Sequence, residues 1–236
     1  MLEINEIFGP TIQGEGKLVG SPSVFIRFGK CNFKCEGFAV EYETPSGVKK
    51  CACDTYYAVD TEFKDTWTKY KSYEEIVNEV DKLISIYPYN YKIDIVITGG
   101  EPLLYWNKEE FQKLLEHYIN AGHKVTIETN ASLNLNIDKE YQKELLFSMS
   151  VKLSNSLEPI KKRININTLN TILNNTKESY LKFVIGKDFL NDAKKEINEI
   201  LSLIPKCDVY LMPLGDTAEQ INKNCEDVIN MSIENG

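Results

Sequence analysis

GKCNFKCEGFAVEYETPSGVKKCACDTYYAV, residues 29–59, follows directly on the apolar run at 24–28 and carries four of the chain's six cysteines: Cys31, Cys35, Cys51 and Cys53. Three thiolates close together make a metal or cluster site, and their spacing limits which. A structural zinc takes four Cys or His ligands in two knuckles, each a pair separated by two to four residues. Cys31 and Cys35 suit one knuckle, whereas Cys51 and Cys53 are a poor second, and the two histidines, His117 and His123, lie far downstream. An iron-sulfur cluster on three cysteines instead leaves one iron open for a small-molecule ligand.

Outward from this loop, apolar runs suited to buried parallel strands recur at 24–28, 93–98, 124–128, 147–153, 180–185 and 208–212. Amphipathic helices lie between them. Tyr73, Ile76, Val77, Val80, Leu83 and Ile84 recur at helical spacing behind a cap candidate at Ser72, and Phe111, Leu114, Leu115, Tyr118 and Ile119 do so ahead of Gly122. Later helices are expected at 141–146, around 164–173, through Ile197, Ile200, Leu201 and Ile204, and at 218–229. Alternating strands and helices imply parallel pairing with right-handed crossovers. Six units are too few for an eight-stranded barrel, so the expected α/β fold is a partial TIM barrel, about (β/α)6 and open. In such folds sites gather at the C-terminal strand ends, where the cysteine loop, TGGEP (98–102), ETN (128–130), SVK (150–152) and LMP (211–213) all fall.

At 236 residues and 42% hydrophobic, one α/β domain over 1–236 suffices. A net charge of −8 argues against a nucleic-acid partner, since phosphate binding needs a basic face. Neither an apolar run of about 18 residues nor a charged-then-apolar leader is present, so no membrane partner is expected and the chain reads as cytoplasmic. Cysteines in that setting are free thiols or ligands, and Cys207 and Cys225 read as ordinary core or surface residues.

Several residues carry two readings. Gln13, Gly14, Glu15 and Gly16 form a polar loop that alone would be a flexible turn. Arg27 sits in the otherwise apolar VFIRF, where a buried charge needs an internal partner or a bound anion. Gly99 and Gly100 make an ordinary strand-to-helix turn or let a ligand approach the backbone. Asp54 and Thr55 cap a turn or offer hard oxygen to Mg²⁺. Thr98, Glu128, Asn130, Ser150, Lys152, Met212 and Pro213 fall at strand ends, as loop residues facing solvent or as ligand contacts.

Cys31-Asn-Phe-Lys-Cys35, followed by Cys53-Asp54-Thr55-x-Tyr57-Ala58, resembles the cluster loop of radical S-adenosylmethionine enzymes, with residues 36–52 as an insertion inside the loop and Cys51 as a competing ligand. FGPTIQGEG (8–16), SVFIRFGKCN (23–32) and TGGEP extend the resemblance to the 7-carboxy-7-deazaguanine synthases, and weaker similarity runs on to LMP. The resemblance implies a 4Fe-4S cluster on Cys31, Cys35 and Cys53. It implies S-adenosylmethionine held by Ala52, Gly99, Gly100, Glu101, Glu128, Asn130, Ser150, Lys152, Met212 and Pro213, although Ser150-Val151-Lys152 departs from the usual Ser-Pro-Lys. A pterin substrate would be held by Ile12, Gln13, Gly14, Glu15, Arg27 and Thr98, with Mg²⁺ on Thr55. The implied reaction is that of a lyase, 6-carboxy-5,6,7,8-tetrahydropterin to 7-carboxy-7-deazaguanine and ammonia, with flavodoxin or ferredoxin as electron donor and a homodimer as the assembly. Two other readings stand beside it: a glycyl-radical-type activating enzyme working on a protein partner, and a zinc-binding module on Cys31, Cys35, Cys51 and Cys53.

Overall fold

The computed structural model describes residues 1–87 and 91–235. It opens on a strand absent from the sequence reading, β1 (Leu2–Ile12), paired antiparallel with β2 (Pro22–Phe28). The short apolar alternation Leu2, Ile4 is interrupted by Gly9 and Pro10, and the pairing register itself breaks between Phe8 and Thr11, so the sequence signal is weak there. Residues 36–52 contain a hairpin of β3 (Val40–Glu43) and β4 (Lys49–Ala52). A short β5 (Thr68–Tyr70) adds to the other edge of β1.

The remaining strands are β6 (Asp94–Gly99), β7 (Val125–Thr129), β8 (Leu146–Ser150), β9 (Tyr180–Ile185) and β10 (Val209–Pro213). The sheet order is β10-β9-β8-β7-β6-β2-β1-β5. Every pair from β2 through β10 in that order is parallel. Six parallel strands in an unclosed sheet are the expected open partial barrel, extended by the antiparallel β1 and β5.

The helices are α1 (Tyr56–Val59), α2 (Tyr73–Ile84), α3 (Glu109–Asn120), α4 (Glu140–Lys143), α5 (Ile160–Arg163), α6 (Ile166–Asn175), α7 (Leu190–Leu201) and α8 (Ala218–Asn235). α2 buries Ile76, Val77 and Val80, although the Ser72 hydroxyl caps no backbone amide. α3 buries Phe111, Leu114, Leu115 and Tyr118 and stops at Gly122, whose φ is 82°. The helix expected at 141–146 is corrected. Only Glu140–Lys143 is helical, and Leu146 pairs with Thr126 of β7, because an apolar run this short goes wherever the neighbouring strand offers hydrogen bonds. β8 accordingly ends at Ser150 rather than 153, whereas α7 begins earlier than expected and α8 runs further.

Alternation along the strands separates core from site. Val24, Ile26 and Phe28 are fully buried, whereas Phe25 and Arg27 face the interior of the open barrel. Among the described residues, no helix is long and apolar enough to cross a membrane.

Candidate active site

The interior at the C-terminal strand ends is a cavity of about 340 Å³, lined by Cys31, Cys35 and Cys53 together with Gln13, Gly14, Glu15, Arg27 and Thr98. Cys51 does not join them: it lies exposed on the hairpin opposite Glu41. The hairpin is fixed by stacking of Tyr42 on Tyr56 at 4.2 Å and by Lys50, which bonds Asp60 at 2.7 Å and Glu62 at 2.8 Å. It therefore spans the gap between Cys35 and Cys53 without separating them.

The cysteine loop is held from across the chain. Cys35 adopts a left-handed backbone, φ 52°, and the Glu158 carboxylate accepts from the amides of Lys34 at 2.6 Å and Cys35 at 3.1 Å. Lys162 neutralises Glu158 at 3.0 Å. Burial, with the charge of Glu101 beside it, pushes the Cys31 thiol far above its ordinary range, and burial pushes Cys35 up to about 12 despite the nearby Lys152. These two buried thiols and Cys53 line one cavity, and the three together fit a cluster, whose iron would supply the positive charge that a buried thiolate needs. Two thiolates on one zinc stand within about 4 Å of each other. Among the described residues no His, Cys, Asp or Glu group is gathered for a single ion. With Cys51 outside the cavity, the four-cysteine zinc set does not assemble. Cluster-free protein treated with iodoacetamide at pH 8 is expected to label Cys51 at least about ten times faster than Cys35, read by peptide mass analysis. Equal rates would contradict the burial of Cys35.

TGGEP is crowded by its own chain. A Cβ on Gly99, whose φ is 131°, would lie 2.1 Å from the Phe28 carbonyl oxygen. The Gly100 amide donates to that oxygen at 3.0 Å and the Glu101 amide donates to Lys30 O at 2.8 Å. Glu101 is fully buried and accepts from Leu103 N at 2.9 Å, Thr129 Oγ1 at 2.7 Å and Asn130 N at 2.7 Å. It ties the turn to the end of β7 and does not line the cavity. Ala52, 3% exposed, and Ile12, whose side chain is turned outward, are also absent from the lining.

The other expected residues converge. Gly99, Gly100, Glu128, Asn130, Ser150, Lys152, Met212, Pro213 and Thr55 all line the cavity. Thr98 Oγ1 donates to Glu128 at 2.6 Å, Lys152 Nζ to Ser150 at 2.8 Å, and Asn130 Nδ2 to Asn32 at 2.9 Å. Val151 uses its amide to reach Met149 O at 2.9 Å, a bond a proline there would forgo, and its neighbours still face inward. Arg27 donates through Nε to Glu6 at 2.7 Å, and among the described residues neither Nη has a hydrogen-bond partner. Gln13 is anchored to Ser23 Oγ at 2.7 Å and closes its loop through backbone bonds to Ser21 and Gly20 at 3.0 Å. That segment is a defined connection between β1 and β2, not a loose terminus.

Lys182 and Asp216 also line the cavity and escaped the sequence reading. Lys182 carries the same signal as Arg27, one cation inside an apolar strand pattern, LKFVI.

The open six-stranded parallel barrel, with three cysteines at the mouth of its first parallel strand, defines the radical S-adenosylmethionine class, and the chain matches the Radical SAM superfamily over residues 26–228. It is 31% identical over 207 residues to the 7-carboxy-7-deazaguanine synthase of Clostridium acetobutylicum, covering 86% of this chain and 78% of that one. The enzyme of the same name from Aquifex aeolicus is 30% identical over 223 residues, covering 94% and 82%. The crystal structure of QueE from Escherichia coli superposes with a TM-score of 0.58 at 20% identity, covering 98% of this chain and 91% of that one. The chain belongs to the 7-carboxy-7-deazaguanine synthase family. Membership brings with it the superfamily's cofactors, a 4Fe-4S cluster and S-adenosylmethionine.

Proposed function

We propose that the protein converts 6-carboxy-5,6,7,8-tetrahydropterin into 7-carboxy-7-deazaguanine and ammonia. The observation that carries this reading is that one cavity is walled by Cys31, Cys35 and Cys53 and also by Gln13, Glu15, Arg27 and Thr98. The cluster with S-adenosylmethionine supplies the one-electron chemistry that starts the reaction at a substrate C–H bond. The chain's own residues bind and orient. Arg27, held by Glu6 through Nε, keeps its two Nη groups for a carboxylate, the geometry a guanidinium fork suits. Glu15 keeps Oε2 buried and, among the described residues, without a partner, an acceptor for the N–H edge of a pterin. Thr55, beside Cys53 at 3.3 Å, and Asp54 offer hard oxygens for Mg²⁺. The glycines of TGGEP, Asn130, Ser150, Lys152, Met212 and Pro213 supply the S-adenosylmethionine side, and Phe33, Phe38 and Val40 exclude water around it.

A single domain with the 36–52 hairpin as its insertion, a cytoplasmic location, a flavodoxin or ferredoxin as reductant and a homodimer complete the proposal. An activating enzyme must present its reactive position to a protein surface, whereas Glu15, Arg27 and Thr98 lie within the cavity, which supports a small substrate. Anaerobic reconstitution with iron, sulfide, S-adenosylmethionine, Mg²⁺, a chemical reductant and the carboxytetrahydropterin should yield 7-carboxy-7-deazaguanine by mass analysis. Cleavage of S-adenosylmethionine with no deazaguanine formed would overturn the substrate assignment.

A further inference from the structure

Lys182 stands in β9 with its side chain 9% exposed, yet it remains a cation in the cavity wall. Burial pulls its pKa down, and the charges of Glu128 and Glu15 outweigh burial and hold it above the ordinary lysine range. Nζ donates to Glu15 Oε1 at 2.6 Å, while Glu128 Oε2 accepts from Thr98 Oγ1 at 2.6 Å. The three side chains form a row of alternating charge from β7 through β9 to the loop between β1 and β2.

That loop is seated on β9 and β10 at further points. Gly16 packs so closely on Tyr180 that a Cβ would lie 2.2 Å from the tyrosine oxygen, and Lys17 bonds Asp208 at 3.2 Å. β2 and β9 are separated in the sheet by β6, β7 and β8, so these contacts carry the loop across the open barrel. Lys182 is the part of this bridge that reaches the cavity. One Glu15 oxygen is taken by Lys182, and the other is buried without a partner among the described residues.

We propose that Lys182 is a positioning residue for the substrate: by binding Oε1 of Glu15 it fixes that carboxylate in the cavity wall, so that Oε2 is left to accept from a heterocycle edge that presents N–H donors. The inference rests on the pterin reading above and adds what makes Glu15 competent. Without the ammonium, Glu15 Oε1 would lose its one hydrogen-bond partner among the described residues, and a side chain that is 37% exposed would turn away from the cavity wall.

The test compares Lys182→Met, Lys182→Arg, Glu15→Gln and the Lys182→Met/Glu15→Gln double variant in the reconstituted holoenzyme. Lys182→Met should raise KM for the carboxytetrahydropterin about tenfold or more while KM for S-adenosylmethionine stays within about twofold. Iron content should be unchanged. Lys182→Arg should recover most of the loss, and the double variant should be no worse than Glu15→Gln, because both changes remove one function. Should Lys182→Met not fold, Lys182→Gln is read the same way. An unchanged pterin KM in an active Lys182 variant, or losses that multiply in the double variant, would overturn the proposal while leaving the functional reading intact. Wild-type protein that makes no deazaguanine would remove the functional reading and this inference with it.

Discussion

Reconstituted anaerobically, Cys35→Ala protein is expected to hold no 4Fe-4S cluster and to cleave no S-adenosylmethionine, while Cys51→Ala keeps both. The two cysteines compete for the second ligand position by sequence alone. In the fold Cys35 is 4% exposed and lines the cavity with Cys31 and Cys53, whereas Cys51 is exposed on a hairpin strand. Moving Cys51 inward would require breaking the β3–β4 register, in which Cys51 faces Glu41, and the Lys50 contacts with Asp60 and Glu62 one residue away. Cys35→Ala removes a small buried side chain, at a stability cost of about 1 kcal/mol, so the loss of the cluster is a loss of ligation and not of folding. Iron and sulfide analysis, the visible absorbance of the cluster and chromatographic detection of 5′-deoxyadenosine read the result. A Cys35→Ala protein that keeps its full iron complement would refute the ligand assignment.

Gly100→Ala is expected to cost about 3 kcal/mol, at the upper end of ordinary overpacking, and to lower the melting temperature by about 8 °C. A Cβ there would lie 2.1 Å from Lys30 O and 3.0 Å from Cys31 Cβ. Lys30 O cannot retreat freely, since it accepts from the Glu101 amide at 2.8 Å and Lys30 itself holds a φ of 72°. The strain therefore passes into the loop that carries Cys31, and cluster loading should fall although every cysteine is present. Gly14 has nothing within 4 Å of its Cβ position, and Gly14→Ala should melt with the wild type. Calorimetry of the two variants beside the parent settles the contrast; equal melting of Gly100→Ala and wild type would show that the turn is not packed as described.

The six parallel strands were legible because each is a short run rich in apolar residues, a pattern that depends on few neighbours. β1 was not, since its partner β2 and not its own alternation holds it in the sheet. Leu146 likewise reads as helix or strand until Thr126 stands beside it. The roles of the TGGEP residues changed more. In sequence Gly99 and Gly100 read as an ordinary strand-to-helix turn or as room for a ligand, and they do line the cavity, but what makes a side chain intolerable is the chain's own backbone at Phe28 and Lys30. Glu101, expected at the cofactor, spends its carboxylate on Leu103, Thr129 and Asn130. Neither fact is local, because each partner outside the turn comes from a different strand end.

By itself the sequence determined the class of fold, the cysteine loop and the types of residue at the strand ends, because periodicity, spacing and side-chain chemistry are properties of a segment. Only the tertiary structure decided which thiols face one another, that Glu158 grips the cysteine loop from 123 residues away, and that Lys182 meets Glu15 at a separation of 167. Ligation and ion pairing act over a few ångströms, and which side chains come that close is set by how the strands are ordered and how the open barrel is bridged, neither of which is written in any one stretch of chain.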